Sequence, residues 1–252
     1  MDKDRSEPAP APTRQPSQDP SGTGAPATSS RGDIDAFLNK VKTLGPAAKA
    51  GPRGRLIFAL DATMSRQPTW DTACRLQADM FREAASVGGL DIQLIYYRGL
   101  SECRVSPWIA EPERLGALMS RIDCRGGQTQ IGKVLAHARR ESEGAKVGAL
   151  VFVGDAMEES LDHLCSGAGD LGLRGIPAFM FQEGYDPVCE KAFREIARLT
   201  RGAYCRFAPG AAHELAELLR AAAAYAAGGM KALADLKERH NAGAVRLLEQ
   251  LR

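Results

Sequence analysis

The sequence predicts an α/β domain: a doubly wound, mostly parallel central sheet with one antiparallel edge strand and helices on both faces. Two charge-free apolar runs, residues 56–60 and 147–153, read as strands covered on both sides. Segments of helical period lie between such runs, and the alternation of strand and helix is that of a doubly wound sheet. Only about four residues separate the strand-like runs 90–97 and 102–109, too few for the crossover that parallel neighbours need, so this pair is antiparallel.

The elements follow in order. Residues 1–31 hold six of the fourteen prolines and almost no large apolar side chain, a composition that cannot offset the entropy of ordering, and they are expected to form a disordered tail. Residues 32–52 carry a short helix and a linker, with Asp33 as cap and Ile34, Phe37, Leu38 and Val41 on one face. The domain proper is expected over residues 53–227. After the strand 56–60, Ala73, Leu76, Met80 and Ala84 set a helix over 69–87 that stops at Gly88-Gly89. Pro107 lacks an amide donor and places the strand 102–109 at the sheet edge. A short helix over 112–122, a glycine-rich loop from Cys124 to Gln130 and a helix over 131–142 lead to the strand 147–153. Helix 158–173, strand 176–182, helix 187–200 and strand 204–207 follow. Leu215, Leu218, Leu219 and Ala222 share a face of a closing helix over 211–227, and residues 228–252 read as a C-terminal helix beyond Gly228-Gly229.

Composition narrows the function. With 252 residues, 44% hydrophobic, 25% charged and a net charge of +2, the chain has material for a full core, and its charge balance with 6% aromatics offers no basic sheet or stacking platform for nucleic acid. The opening MDKDRSEPAPAP has no signal-peptide core and the Ala-rich stretch 221–227 is too short for a bilayer, so a cytoplasmic protein without a membrane partner is expected. Cysteines 74, 103, 124, 165, 189 and 205 show no metal or redox spacing and read as small buried thiols.

Two familiar patterns fail on context. Gly127-Gln-Thr-Gln-Ile-Gly132-Lys133 has the spacing of a phosphate-binding loop, but Val134 stands where the magnesium-binding hydroxyl belongs and a helix precedes it. Gly167-Ala-Gly-Asp-Leu-Gly172 matches a dinucleotide fingerprint by letter, yet it lies within a helix that runs into a strand, the reverse of the required order. His137, His163, His213 and His240 lie on helices without ligand spacing, and no serine sits in a nucleophile elbow.

What survives lies at strand exits. The run 56–60 ends in Asp61, Thr63 and Ser65; had the strand continued, Asp61 and Ser65 would be roughly 13 Å apart at about 3.3 Å per residue, so the chain must curl if they are to share a ligand. Oxygen donors of this kind suit a hard cation such as Mg²⁺. Thr129 in the glycine-rich loop and Asp155, just past the strand 147–153, complete the set. With these residues the chain, over about residues 53–227, resembles the von Willebrand factor A (VWA) family, whose metal-ion-dependent adhesion site joins an Asp-x-Ser-x-Ser segment, a distant Thr and an Asp after a central strand. The resemblance implies a metal site of Asp61, Thr63, Ser65, Thr129 and Asp155 holding Mg²⁺ (or Mn²⁺ or Ca²⁺), with Thr63 in place of the family's first serine. It implies a binding module, not an enzyme, in which an Asp or Glu of a partner protein fills the ion's open position. Met64, Gln67, Gln128, Gln130 and Met157 would form the rim. The alternative is a metal-dependent hydrolase of phosphate or ester, for which Glu158 and Glu159 are the nearby proton carriers, although they read more simply as the acidic first turn of a helix. A third reading makes the domain one component of a larger metal- or stress-related assembly, as intracellular relatives resembling tellurite-resistance or chelatase-associated proteins often are.

Overall fold

Strand β1 (Gly54–Asp61) is apolar on both faces because it lies at the centre of the sheet. It pairs in parallel with β2 (Leu90–Arg98) on one side and β4 (Ala149–Gly154) on the other. Leu56, Phe58 and Leu60 enter one core layer while Ile57 and Ala59 enter the opposite one, the two-residue alternation of a strand covered twice. The computed structural model describes residues 53–251, the side chains of Ser65 and Gln77 apart. The expected tail over 1–31 and the segment 32–52 lie outside the described residues.

The six strands run in the order β3-β2-β1-β4-β5-β6, with β3 (Glu102–Val105), β5 (Ala178–Glu183) and β6 (Ala203–Phe207) completing the sheet. All neighbours are parallel except β2 and β3, so the antiparallel edge expected from the short connection is present. The edge strand is shorter than the sequence run suggests. Ladder pairing stops at Val105, and Ser106 substitutes for it: its N–H donates to the Leu94 carbonyl and its hydroxyl accepts from the Leu94 N–H, each at 2.9 Å. Pro107 cannot pair, and contact resumes at Ile109, which exchanges two hydrogen bonds with Ile92.

Helices α1 (Gln67–Ala85), α2 (Pro112–Met119), α6 (Ala212–Glu238) and α7 (Ala242–Leu248) cover the face of Leu56, Phe58 and Leu60. Helices α3 (Ile131–Gly144), α4 (Leu161–Leu173) and α5 (Pro187–Leu199) cover the other. Helix α6 approaches the sheet closely because its inner face is built of alanines, Ala221 to Ala224, at 1% exposure or less. Gly54 is required at that contact, since a Cβ there would meet the Ala226 carbonyl oxygen at 2.3 Å. The segment from residue 228, which reads as a single helix in sequence, is divided: Gly229 takes φ 65°, ψ −154° inside α6, and Asn241 starts α7 by accepting from the Ala244 N–H at 2.7 Å.

Strand β6 is the second edge, and a side chain guards it. The Gln250 amide accepts from the Tyr204 N–H and donates to the Tyr204 carbonyl, both at 2.9 Å, while Arg246 donates to the Arg206 carbonyl. Gln250 thus makes the pair of bonds that a neighbouring strand residue would make.

Candidate metal centre

Strand order reverses between β1 and β4, and at such a point the carboxyl ends of the strands open a crevice. Asp61 closes β1 at 2% exposure, and Asp155 follows Gly154 at the end of β4. The chain curls after Asp61, as the spacing argument requires: the Thr63 N–H donates to Asp61 Oδ1 at 2.8 Å, and the Arg66 N–H donates to the Thr63 carbonyl at 3.0 Å, closing a 3₁₀ turn over Met64–Arg66. Ser65 belongs to that turn, but its side chain lies outside the described residues.

The glycine-rich loop is fastened to the same crevice. The Arg125 N–H donates to the Ala62 carbonyl at 2.9 Å, and the Gln128 N–H to the Gly99 carbonyl at 3.1 Å. Gly127 passes so close to the β2–β3 turn that a Cβ would meet the Gly99 oxygen at 2.2 Å. Thr129, 7% exposed, is held reciprocally by Glu158: its N–H donates to the Glu158 carboxylate and its hydroxyl accepts the Glu158 N–H, each at 3.0 Å. Glu159 accepts from the Ile131 N–H and, at 2.9 Å, from the Gly132 N–H, capping α3.

This corrects the reading of both glutamates as the first turn of a helix: α4 begins at Leu161 behind Ser160, and Glu158 and Glu159 clamp the loop instead. Glu158→Ala is expected to cost about 1 kcal/mol in stability. Faster hydrogen exchange at the Thr129 amide would report the lost clamp, and unchanged exchange would refute it.

Asp61 and Thr63 are thus joined by a hydrogen bond, the Asp155 charge acts on Asp61, and the loop that carries Thr129 is fastened to Ala62 and to Glu158. Burial raises the Asp61 carboxyl above its ordinary range; the Thr63 hydrogen bonds lower it, the Asp155 charge raises it and Arg66 opposes that. Tyr97 lies beside Asp61 in the parallel register, and burial, then the charges of Asp61, Glu159 and Asp155, hold its hydroxyl protonated.

Two residues at the site escaped the sequence reading. Arg66, 1% exposed, pairs through Nη1 with Glu183 at the end of β5, and its Nε lies 3.9 Å from Asp155 Oδ1. Glu183 also accepts from the Thr69 hydroxyl and, at 3.1 Å, from the Gly210 N–H. An open cleft runs beside them, lined by Arg66, Thr69, Asp155, Glu183, Tyr185 and Asp186. The available signal was that β5, like β1, ends in an acid; the expected strand stopped one residue short, at Gln182.

The donor chemistry fits a hard divalent ion. Among the described residues no group of three or more His, Cys, Asp or Glu is placed to hold a metal, so an ion here depends on two carboxylates joined by hydroxyls, which are oxygen donors throughout. Arg66 lies within ion-pair range of Asp155 and Glu183, and its charge also acts on Asp61, so among these groups three carboxylates outnumber one guanidinium and one divalent cation would balance the excess.

The VWA domain of SpRpn10 superposes on the chain with a TM-score of 0.52 at 10% identity, covering 65% of this chain and 95% of that one. The chain has a VWA fold. The pilus adhesin SpaC of Lactobacillus rhamnosus GG in its open conformation shares this architecture at a TM-score of 0.54 and 8% identity, over 69% of this chain and 30% of that one. The D319A mutant of the PilB minor pilin from Streptococcus sanguinis does so at 0.51 and 8%, over 78% and 63%. No family model matches the chain, and no curated protein matches it in sequence. Among the described residues no helix of this VWA fold is long and apolar enough to cross a membrane.

Proposed function

We propose that the chain is a protein–protein interaction module that takes an Asp or Glu side chain of its partner at a divalent cation, Mg²⁺ by preference, held by Asp61, Thr63, Ser65, Thr129 and Asp155. The observation that supports this reading is the set of hydrogen bonds that fastens the glycine-rich loop to the β1 turn, through Arg125 and Ala62, and to the segment after β4, through Thr129 and Glu158. The ion would supply an exchangeable coordination position. The chain's own residues orient it: Thr63 fixes Asp61, and Glu158 fixes Thr129.

The rim supports a protein partner. Met64 and Leu100 stand 62% and 78% exposed, and Tyr185 borders the adjoining cleft at 66%. Apolar and aromatic side chains of this kind anchor interfaces. Gln128 is exposed, whereas Gln130 turns inward at 5% exposure, where it accepts from Lys133 Nζ at 2.7 Å; it does not belong to the rim. Hydrolysis has less support, because the carboxylates of Glu158 and Glu159, the proton carriers that reading requires, already accept from backbone amides. The six cysteines are free thiols, which suits a cytoplasmic module.

Pull-down in Mg²⁺ against chelator, followed by titration with the purified partner, tests the reading. Binding is expected to disappear in chelator and in Thr129→Ala, to persist in Thr129→Ser, and to fall when one partner acid is replaced by its amide. Undiminished binding in chelator would place the interface elsewhere.

A further inference from the structure

Arg66 stands immediately after Ser65, so the turn that follows Asp61 also carries a buried guanidinium. Only its Nη1 reaches a hydrogen-bond acceptor, on Glu183; Nε and Nη2 are buried without a hydrogen-bond partner. Buried charged donors without acceptors are unfavourable. The carboxylate oxygen facing Nε is Asp155 Oδ1, at 3.9 Å, within ion-pair range but too long for a hydrogen bond. A small movement of Asp155 toward Arg66 would satisfy Nε, and a movement toward a divalent ion would deny it.

We infer that Arg66 is a resident cation that competes with the divalent ion for Asp155 and thereby keeps the affinity of the site for the ion alone low. This rests on the proposed metal-dependent reading and adds a regulation to it. Two positive charges sharing one carboxylate repel each other, and even at an effective dielectric near 20 the repulsion corresponds to about a tenfold loss of ion affinity or more. A partner carboxylate relieves that repulsion by adding a negative charge to the ion. Ion and partner acid therefore bind cooperatively, and the ion is held firmly only in the complex. A guanidinium acting only as a brace for Glu183 would leave ion affinity unchanged when removed.

Calorimetric titration with Mn²⁺ and no partner decides the matter, with wild type, R66K and R66M compared. R66M is expected to bind the ion about tenfold more tightly than wild type, and R66K, which keeps the charge, to stay near wild type. Circular dichroism establishes that each variant is folded. If R66M does not fold, Arg66→Gln, which removes the charge and keeps an amide donor for Glu183, takes its place and is also expected to bind more tightly than wild type. Equal or weaker binding by the folded uncharged variant overturns the inference while leaving the metal-dependent reading intact. Failure of wild type and all variants to bind overturns both. Binding by Arg66→Met without detectable binding by wild type supports the inference, since the native site then takes the ion only with the partner acid, as the Mg²⁺-against-chelator pull-down reads separately.

Discussion

Glu183→Ala is expected to lower the free energy of unfolding by about 3–5 kcal/mol, because it leaves a guanidinium buried without its counter-charge. Glu183 is 8% exposed and accepts from Arg66, the Thr69 hydroxyl and the Gly210 N–H, so the truncation strands donors from the β1 turn, from α1 and from the loop before α6 together. Arg66 would retain only the Asp155 oxygen 3.9 Å away. Glu183→Gln should cost less, since an amide keeps an acceptor while losing the charge. Asp79→Ala, which removes an ion pair to an Arg82 that is 76% exposed, provides the contrast at about 0–1 kcal/mol. Urea titration of the three variants measures the series, and a Glu183→Ala loss no larger than that of Asp79→Ala would mean the buried pair stabilises nothing.

Phe152→Ala should be as damaging, at about 3–5 kcal/mol, through a different mechanism. The ring lies at 1% exposure on β4, stacks on Tyr97 of β2 with centroids 6.2 Å apart and meets Phe193 of α5 edge-on at 5.3 Å. No single neighbour can move in to fill its place, because the ring joins two strands to a helix. Gly154 is shaped around it as well, since a Cβ there would approach Phe152 Cε1 at 2.7 Å. The expected result is a lower urea midpoint with an unchanged slope. Tyr97 lies beside Asp61 in the register, so the cavity would also loosen the wall of the candidate metal centre.

The sheet was legible because its central strands announce themselves. The runs 56–60 and 149–154 carry no charge, and the short connection between β2 and β3 forces the antiparallel edge. The candidate site was legible as two acids at strand exits, Asp61 and Asp155, and the curl after Asp61 followed from distance alone. Arg66 was not legible: an arginine in a loop ordinarily reads as solvated, and its burial depends on Glu183, 117 residues away in sequence. Gln130 failed as a rim residue for a similar reason, since its inward turn is set by Lys133 and the β2–β3 turn. Glu158 and Glu159 look like a helical first turn until Ser160 is recognised as the cap.

The Gln250 amide on Tyr204 has a meaning best put in the language of polymerisation. An open sheet is a growing chain whose edge strands are its reactive ends, and each added strand exposes a fresh end of the same kind. At β3 growth is hindered by a short strand followed by a proline. At β6 it is stopped by a terminator of one residue, which matches the donor and acceptor of the next strand and presents no backbone for a further one. An incoming strand would have to displace that amide and the Arg246 contact before gaining its first pair of bonds. The sheet is therefore chain-terminated from within its own sequence.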